Sequence, residues 1–163
     1  MLKRIVFIMC CIWTMIINAQ TAKELSWEDL IPEFEKKLLE IHERQTGTAD
    51  DYSPVLPKGF GKVRNALDGE RIKIAGFIIP LEGDEEKIYE MLLVPYMGAC
   101  FHVPPPPANQ IIYVKFEKGV AIKNLWDVVY VIGVLKTEAI SHEFAQVGYV
   151  LEGESTQVYD QED

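Results

Sequence analysis

The chain has 163 residues, 48% of them hydrophobic, and a formal net charge of −9. That length and composition fit one domain with its own core and rule against a disordered chain. The negative charge argues against nucleic acid or anionic lipid as a partner, because both are held by clustered cations.

The chain opens with an export-signal pattern. Lys3 and Arg4 form a basic start, Ile5 to Ile17 an apolar stretch, and Asn18-Ala19 a small-residue site ahead of Gln20. The expected organisation is a signal peptide at 1–19 and a single β-barrel domain at 20–163, comprising a helix at 26–45, a loop at 46–66 and a barrel at 67–160. The apolar stretch is shorter than a membrane span, and nothing later in the chain matches even its length, so no span is expected after cleavage. Cutting before Gln20 removes two cations and no acid, taking the charge from −9 to −11. Of Cys10, Cys11 and Cys100, only Cys100 would remain, which leaves no internal disulfide. Bulky Ile8 and Met9 precede Cys10, an unfavourable setting for lipid attachment.

Residues 20–25 read as a short tail. Ser26-Trp27-Glu28-Asp29 has capping-box character. Pro32 cannot lie deep in a helix, so the pattern predicts one turn at 26–31 and a main helix from Pro32 to about Arg44. Trp27, Leu30 and Ile31 are expected to dock this element on the barrel. Phe34, Leu38 and Ile41 share one helical face.

Residues 46–66 lack periodicity and are rich in Gly, Pro, Asp and Thr, as a loop would be. Strand-like sequence follows at Arg71 to Leu81, Ile88 to Met97, Gln110 to Phe116, Val120 to Lys123, Trp126 to Lys136, Phe144 to Glu152 and Thr156 to Tyr159. Gly83 to Lys87 and Glu117 to Gly119 read as turns. Short, closely spaced strands, with Gly76 and Gly133 inside them, predict a mainly β fold: a small OB-like β-barrel with an N-terminal helix packed on it. A β-sandwich is the alternative.

The chemistry-bearing stretch lies between the second and third strands: Gly98-Ala99-Cys100-Phe101-His102-Val103-Pro104-Pro105-Pro106-Pro107-Ala108-Asn109-Gln110. On an extended strand Cys100 and His102 point the same way, their Cα atoms about 6.5–7 Å apart. Two such donors make half of a zinc or copper site. His142 and Glu143 are the candidates to complete it, with His42 a weaker one. Cys100 can equally be a space-filling core residue or a reactive thiol. Pro104 to Pro107 should form a rigid polyproline II segment without N–H donors, and Asn109 and Gln110 can turn the chain or bond exposed carbonyls. No phosphate loop, nucleophile elbow or His-Glu-x-x-His helix is present, so no catalytic residues are assigned and an enzyme is not expected.

These residues carry a resemblance. Leu92-Leu93-Val94-Pro95-Tyr96, Gly98-Ala99-Cys100, His102 to Pro107 and Asn109-Gln110 resemble the signature of the exported bacterial family called domain of unknown function 3299. Gly76-Phe77-Ile78-Ile79-Pro80-Leu81 and Trp27-Glu28-Asp29-Leu30-Ile31-Pro32 look like its other two marks. The resemblance implies a periplasmic location and a non-enzymatic accessory role beside an envelope protein or transporter component. Some members are lipoproteins, but this chain lacks a clear lipobox. The alternative reading is a protein that handles zinc or copper through Cys100 and His102.

Overall fold

The computed structural model describes residues 21–46, 60–96, 106–121, 128–141 and 146–159. In chain order these form β1 (Lys23–Leu25), a 3-10 turn (Trp27–Leu30), α1 (Glu33–Thr46), β2 (Arg71–Gly83), β3 (Ile88–Val94), β4 (Ile112–Val120), β5 (Val129–Lys136), β6 (Ile140–Ser141), β7 (Gln146–Val147) and β8 (Tyr149–Val158), with further 3-10 turns at Asn65–Leu67 and Ala108–Gln110.

Strand β2 closes the sheet on itself. Its first half, Arg71 to Gly76, pairs antiparallel with β5, and its second half, Phe77 to Gly83, pairs with β3. The order β2-β3-β4-β8-β5 then returns to β2, with β4 and β8 parallel. This is the expected small OB-like barrel, mainly β, with one helix among the described residues.

Alternation dictates what faces inward, because successive side chains on a strand point to opposite faces. Ile78, Leu93, Ile112 and Tyr149 lie opposite one another across four strands, as do Met91, Val114, Leu151 and Leu135. All eight are buried in the main core, together with Ile72 and Ile74. Gly76 and Gly133 sit where the barrel coils most tightly. A Cβ on Gly133 would lie 2.3 Å from the Glu152 carbonyl oxygen, and one on Gly76 would lie 2.8 Å from Leu93 Cγ. Pro80 is tolerated because the β2–β3 register shifts just beyond it.

Several boundaries differ from the sequence reading; β2 runs on to Gly83 and β3 stops at Val94 instead of Met97. Lys23–Leu25 is a strand rather than a tail: it pairs in parallel with Ile72–Ile74, and Leu25 is buried in the core. The reversal expected at Glu117–Gly119 is absent, and β4 runs on to Val120. Gly119, at φ +65°, is absorbed as an irregularity against β3, where the register shifts between Ile88 and Glu90. The two segments expected at 144–152 and 156–159 are joined into β8, which runs through Gly153, preceded by the short strand β7. Ala108–Gln110 forms a 3-10 turn, so β4 starts at Ile112 instead of Gln110.

The N-terminal segment follows its capping signals. The Asp29 carboxylate accepts the Ser26 backbone N–H and hydroxyl, both at 2.8 Å, and these bonds hold its pKa below the ordinary carboxylate value. Trp27 packs against the core and donates its indole N–H to the Ala75 carbonyl at 2.7 Å. Leu30 is fully buried. The helix buries a polar side chain: Phe34, Leu38 and Ile41 are 55%, 44% and 50% exposed, while Glu35, about a quarter turn round the helix from them, is 0% exposed. The reason lies in what Glu35 binds.

Candidate functional site

The signature segment leaves the barrel after β3 and re-enters it at β4. Gly98, Cys100, His102, Pro104 and Pro105 lie outside the described residues, as do His142 and Glu143. Its re-entry is described in full. Pro106 is buried, and Pro107 has φ −62° and ψ 154°, the polyproline II geometry expected of it. The chain then tightens into the Ala108–Gln110 turn, closed by the Gln110 N–H donating to the Pro107 carbonyl at 2.8 Å.

Asn109 and Gln110 hold that turn against three other parts of the molecule. Asn109, 0% exposed, donates its amide N–H groups to Glu35 Oε2 at 2.8 Å and to the Lys62 carbonyl at 2.9 Å. Glu35 also accepts the backbone N–H groups of Gly61 at 3.2 Å and Lys62 at 2.8 Å. One carboxylate thus joins α1, the irregular stretch at 61–62 and the end of the signature. A buried charge is tolerable only when hydrogen-bonded in this way. Gln110 donates its side-chain amide to the Trp27 carbonyl at 3.0 Å. The expectation that these two residues bond backbone carbonyls is met at Lys62 and Trp27. Asn109 Oδ1 is buried and has no hydrogen-bond partner among the described residues.

Tyr149 adds a second tie. Its hydroxyl donates to the Leu30 carbonyl and accepts the Arg64 backbone N–H, both at 2.7 Å, while the Arg64 guanidinium donates to the Asp29 carbonyl. Burial pushes the Tyr149 phenol up, and the bond from Arg64 opposes that shift.

The other end of the segment is anchored on the outside of the barrel. Ile79, Leu92, Tyr113 and Val150 lie opposite one another on the outward face of β2, β3, β4 and β8. With Val94, Ile111, Phe77 and Leu81 they form a second hydrophobic cluster. The β6–β7 hairpin packs Ile140 and Val147 onto this same cluster. Just below it the outer face turns polar. Glu90 accepts the Tyr113 hydroxyl and pairs with Lys115 at 3.1 Å. Burial first, then the bond to Glu90, raises the Tyr113 phenol far above its ordinary value.

The structure therefore brings together the flanks of the two segments that carry the candidate ligands. Val94 and Ile111 border the segment holding Cys100 and His102, and β6 and β7 border His142 and Glu143. All four flanks meet on one cluster, and the Gly148 N–H donates to the Ala108 carbonyl at 2.8 Å. Among the described residues no group of three or more His, Cys, Asp or Glu side chains is placed to hold a metal ion. No helix among them is long and apolar enough to cross a membrane.

The profile of the family described as Protein of unknown function (DUF3299) matches residues 27–158. The chain belongs to this family. A solved structure of a family member from Pseudomonas aeruginosa PAO1 shares 38% sequence identity, covers 88% of this chain and 99% of its own, and superposes with a TM-score of 0.65. No curated protein matches the chain. The matched region begins at Trp27 and ends at Val158, so it takes in Glu35, Asn109 and Tyr149. The sequence reading missed Glu35 and Tyr149. Glu35 sits among polar helix residues with nothing local to mark it as buried, and Tyr149 reads as one more strand aromatic.

Proposed function

We propose that this protein is an exported, periplasmic, non-enzymatic binding module that serves an envelope or transporter complex and presents its signature segment to that partner. The observation that carries this reading is the anchoring of the segment at both ends. Asn109 and Gln110 fix one end to α1 and the Trp27 turn, and Val94 fixes the other to the outer cluster. Rigid scaffolds that hold a connecting segment in this way are where binding residues concentrate. Export rests on the N-terminal pattern. Sequencing the protein released by osmotic shock should give a first residue near Gln20. Retained Met1, or lipid on Cys10 or Cys11, would contradict it.

A second reading has its own support. The flanks of the Cys100–His102 segment and of the His142–Glu143 segment converge on one cluster, the placement a zinc or copper(I) site built from both would need. Bound thiolate must be deprotonated, so binding should release a proton and weaken as pH falls. Metal should raise the melting temperature of the wild type, and the rise should be lost in Cys100→Ser and His102→Ala. An unchanged melting temperature at a large excess of either metal would remove this reading and leave the first one standing.

A further inference from the structure

The outward face of the barrel carries a groove where β1 and β5 flank the first half of β2. Strand register gathers its residues. Glu24 lies beside Lys73, and Ala75 lies directly opposite Tyr130. Tyr159, just past the end of β8, brings its ring centroid to 5.1 Å from that of Tyr130. Trp27 lines the same groove and donates its indole N–H to the Ala75 carbonyl. Ala75 is thus a small side chain among three large rings. The groove measures about 340 Å³, within the roughly 300–1,000 Å³ of small-ligand sites. An acid–base pair supplies polar groups. Glu24 pairs with Lys73 at 3.2 Å and accepts the Tyr130 hydroxyl at 3.2 Å, while Lys73 Nζ stands 3.8 Å from the centre of the Tyr130 ring.

We propose that this groove binds a neutral oligosaccharide. A sugar ring presents C–H groups on its flat faces, which meet the electron-rich faces of aromatic rings, and hydroxyls around its rim. The groove sets rings beside an ammonium with three donors and a carboxylate with several acceptor positions, the latter 60% exposed. The two charges offset each other, so the complement is a polar ligand without net charge. OB barrels take oligonucleotides or oligosaccharides on their outer surface. The net charge of −9 argues against the polyanion. The usual OB ligand face, on the second and third barrel strands, corresponds here to β3 and β4. It is filled by the second hydrophobic cluster, in which Leu92 and Tyr113 are buried. A peptide adding itself as a strand is disfavoured at the groove. Arg71 to Gly76 pairs with β5, Lys23–Leu25 pairs with Ile72–Ile74, and the Ala75 carbonyl is bonded to Trp27.

Titrating ¹⁵N-labelled protein with chitotetraose, cellotetraose and maltotetraose tests the proposal, with tetra-alanine as the peptide control. At least one sugar should move the Trp27 indole N–H signal, with a dissociation constant on the order of 1 mM, as expected of a shallow, open site. Ala75→Leu, which fills the groove, and Tyr159→Ala, which removes a ring, should each weaken binding at least about tenfold, whereas Tyr159→Phe should retain it. Ala75 and Tyr159 are partly exposed, so each variant should melt close to the wild type, which separates lost binding from lost folding. Failure of all three sugars to move the Trp27 signal would overturn the proposal. So would sugar binding indifferent to Ala75→Leu, or a Trp27 signal moved by tetra-alanine and not by the sugars.

Discussion

Asn109→Asp is expected to be the most damaging single-atom-scale change outside the hydrophobic core. The side chain is 0% exposed and its amide nitrogen lies 2.8 Å from a Glu35 oxygen that is itself buried. Replacing that N–H donor with an acceptor sets two carboxyl groups against each other out of water and leaves the Lys62 carbonyl without its bond. A buried group left unpaired costs about 1–3 kcal/mol, and uncompensated buried charge more, so a loss of about 4 kcal/mol at neutral pH is expected. The sign of the pH dependence follows. Protonating one of the two carboxyls turns repulsion into a hydrogen bond, and the folded pair holds that proton more tightly than the unfolded chain. The deficit relative to wild type should therefore shrink as pH falls from 7 towards 5 and return as pH rises. Urea unfolding at the two pH values measures it. A variant within about 1 kcal/mol of wild type at pH 7 would show that the cluster does not hold the signature turn.

Gly133→Ala should be nearly as costly, for a steric reason. The added Cβ would lie 2.3 Å from the Glu152 oxygen, 2.9 Å from its carbon and 3.0 Å from Gly153 Cα. All three are backbone atoms, so no side chain can rotate aside. Relief requires β5 and β8 to separate where their register already shifts, between Ile132 and Gly133. Overpacking of this kind costs about 1–3 kcal/mol, and the upper end applies when backbone must move. Thermal melting should show a loss of about 3 kcal/mol, roughly 6–12 °C for a domain of this size. A melting temperature within a degree or two of wild type would mean that the barrel does not close as tightly as described.

These two sites show what was legible in the sequence. Gly133 and Gly76 stood out because a glycine inside an apolar, β-branched run has few uses except close backbone approach. Closure into an OB-like barrel followed from strand number and spacing. Asn109 and Gln110 were legible as residues that bond carbonyls, since four prolines before them supply no donors. Which carbonyls they reach was not legible, because Lys62 and Trp27 are 47 and 83 residues away in sequence. Which face of the helix meets the barrel was not legible: Phe34, Leu38 and Ile41 share a face but stay about half-exposed, while Glu35 is buried by three hydrogen bonds whose donors, at residues 61, 62 and 109, are remote in sequence. Lys23–Leu25 was missed because three residues carry no period at all. Its pairing depends on β2 presenting a free edge beside Ile72–Ile74.

The central claim is that the clamped signature segment is what the protein offers a partner. Its most direct test is a photoreactive amino acid placed at Phe101 in living cells, compared with one at Glu85 in the exposed β2–β3 turn. A discrete adduct with one envelope protein, formed from position 101, absent from position 85 and lost when Asn109→Asp releases the turn, is the predicted result. No adduct at position 101, or the same adduct from both positions, would contradict it.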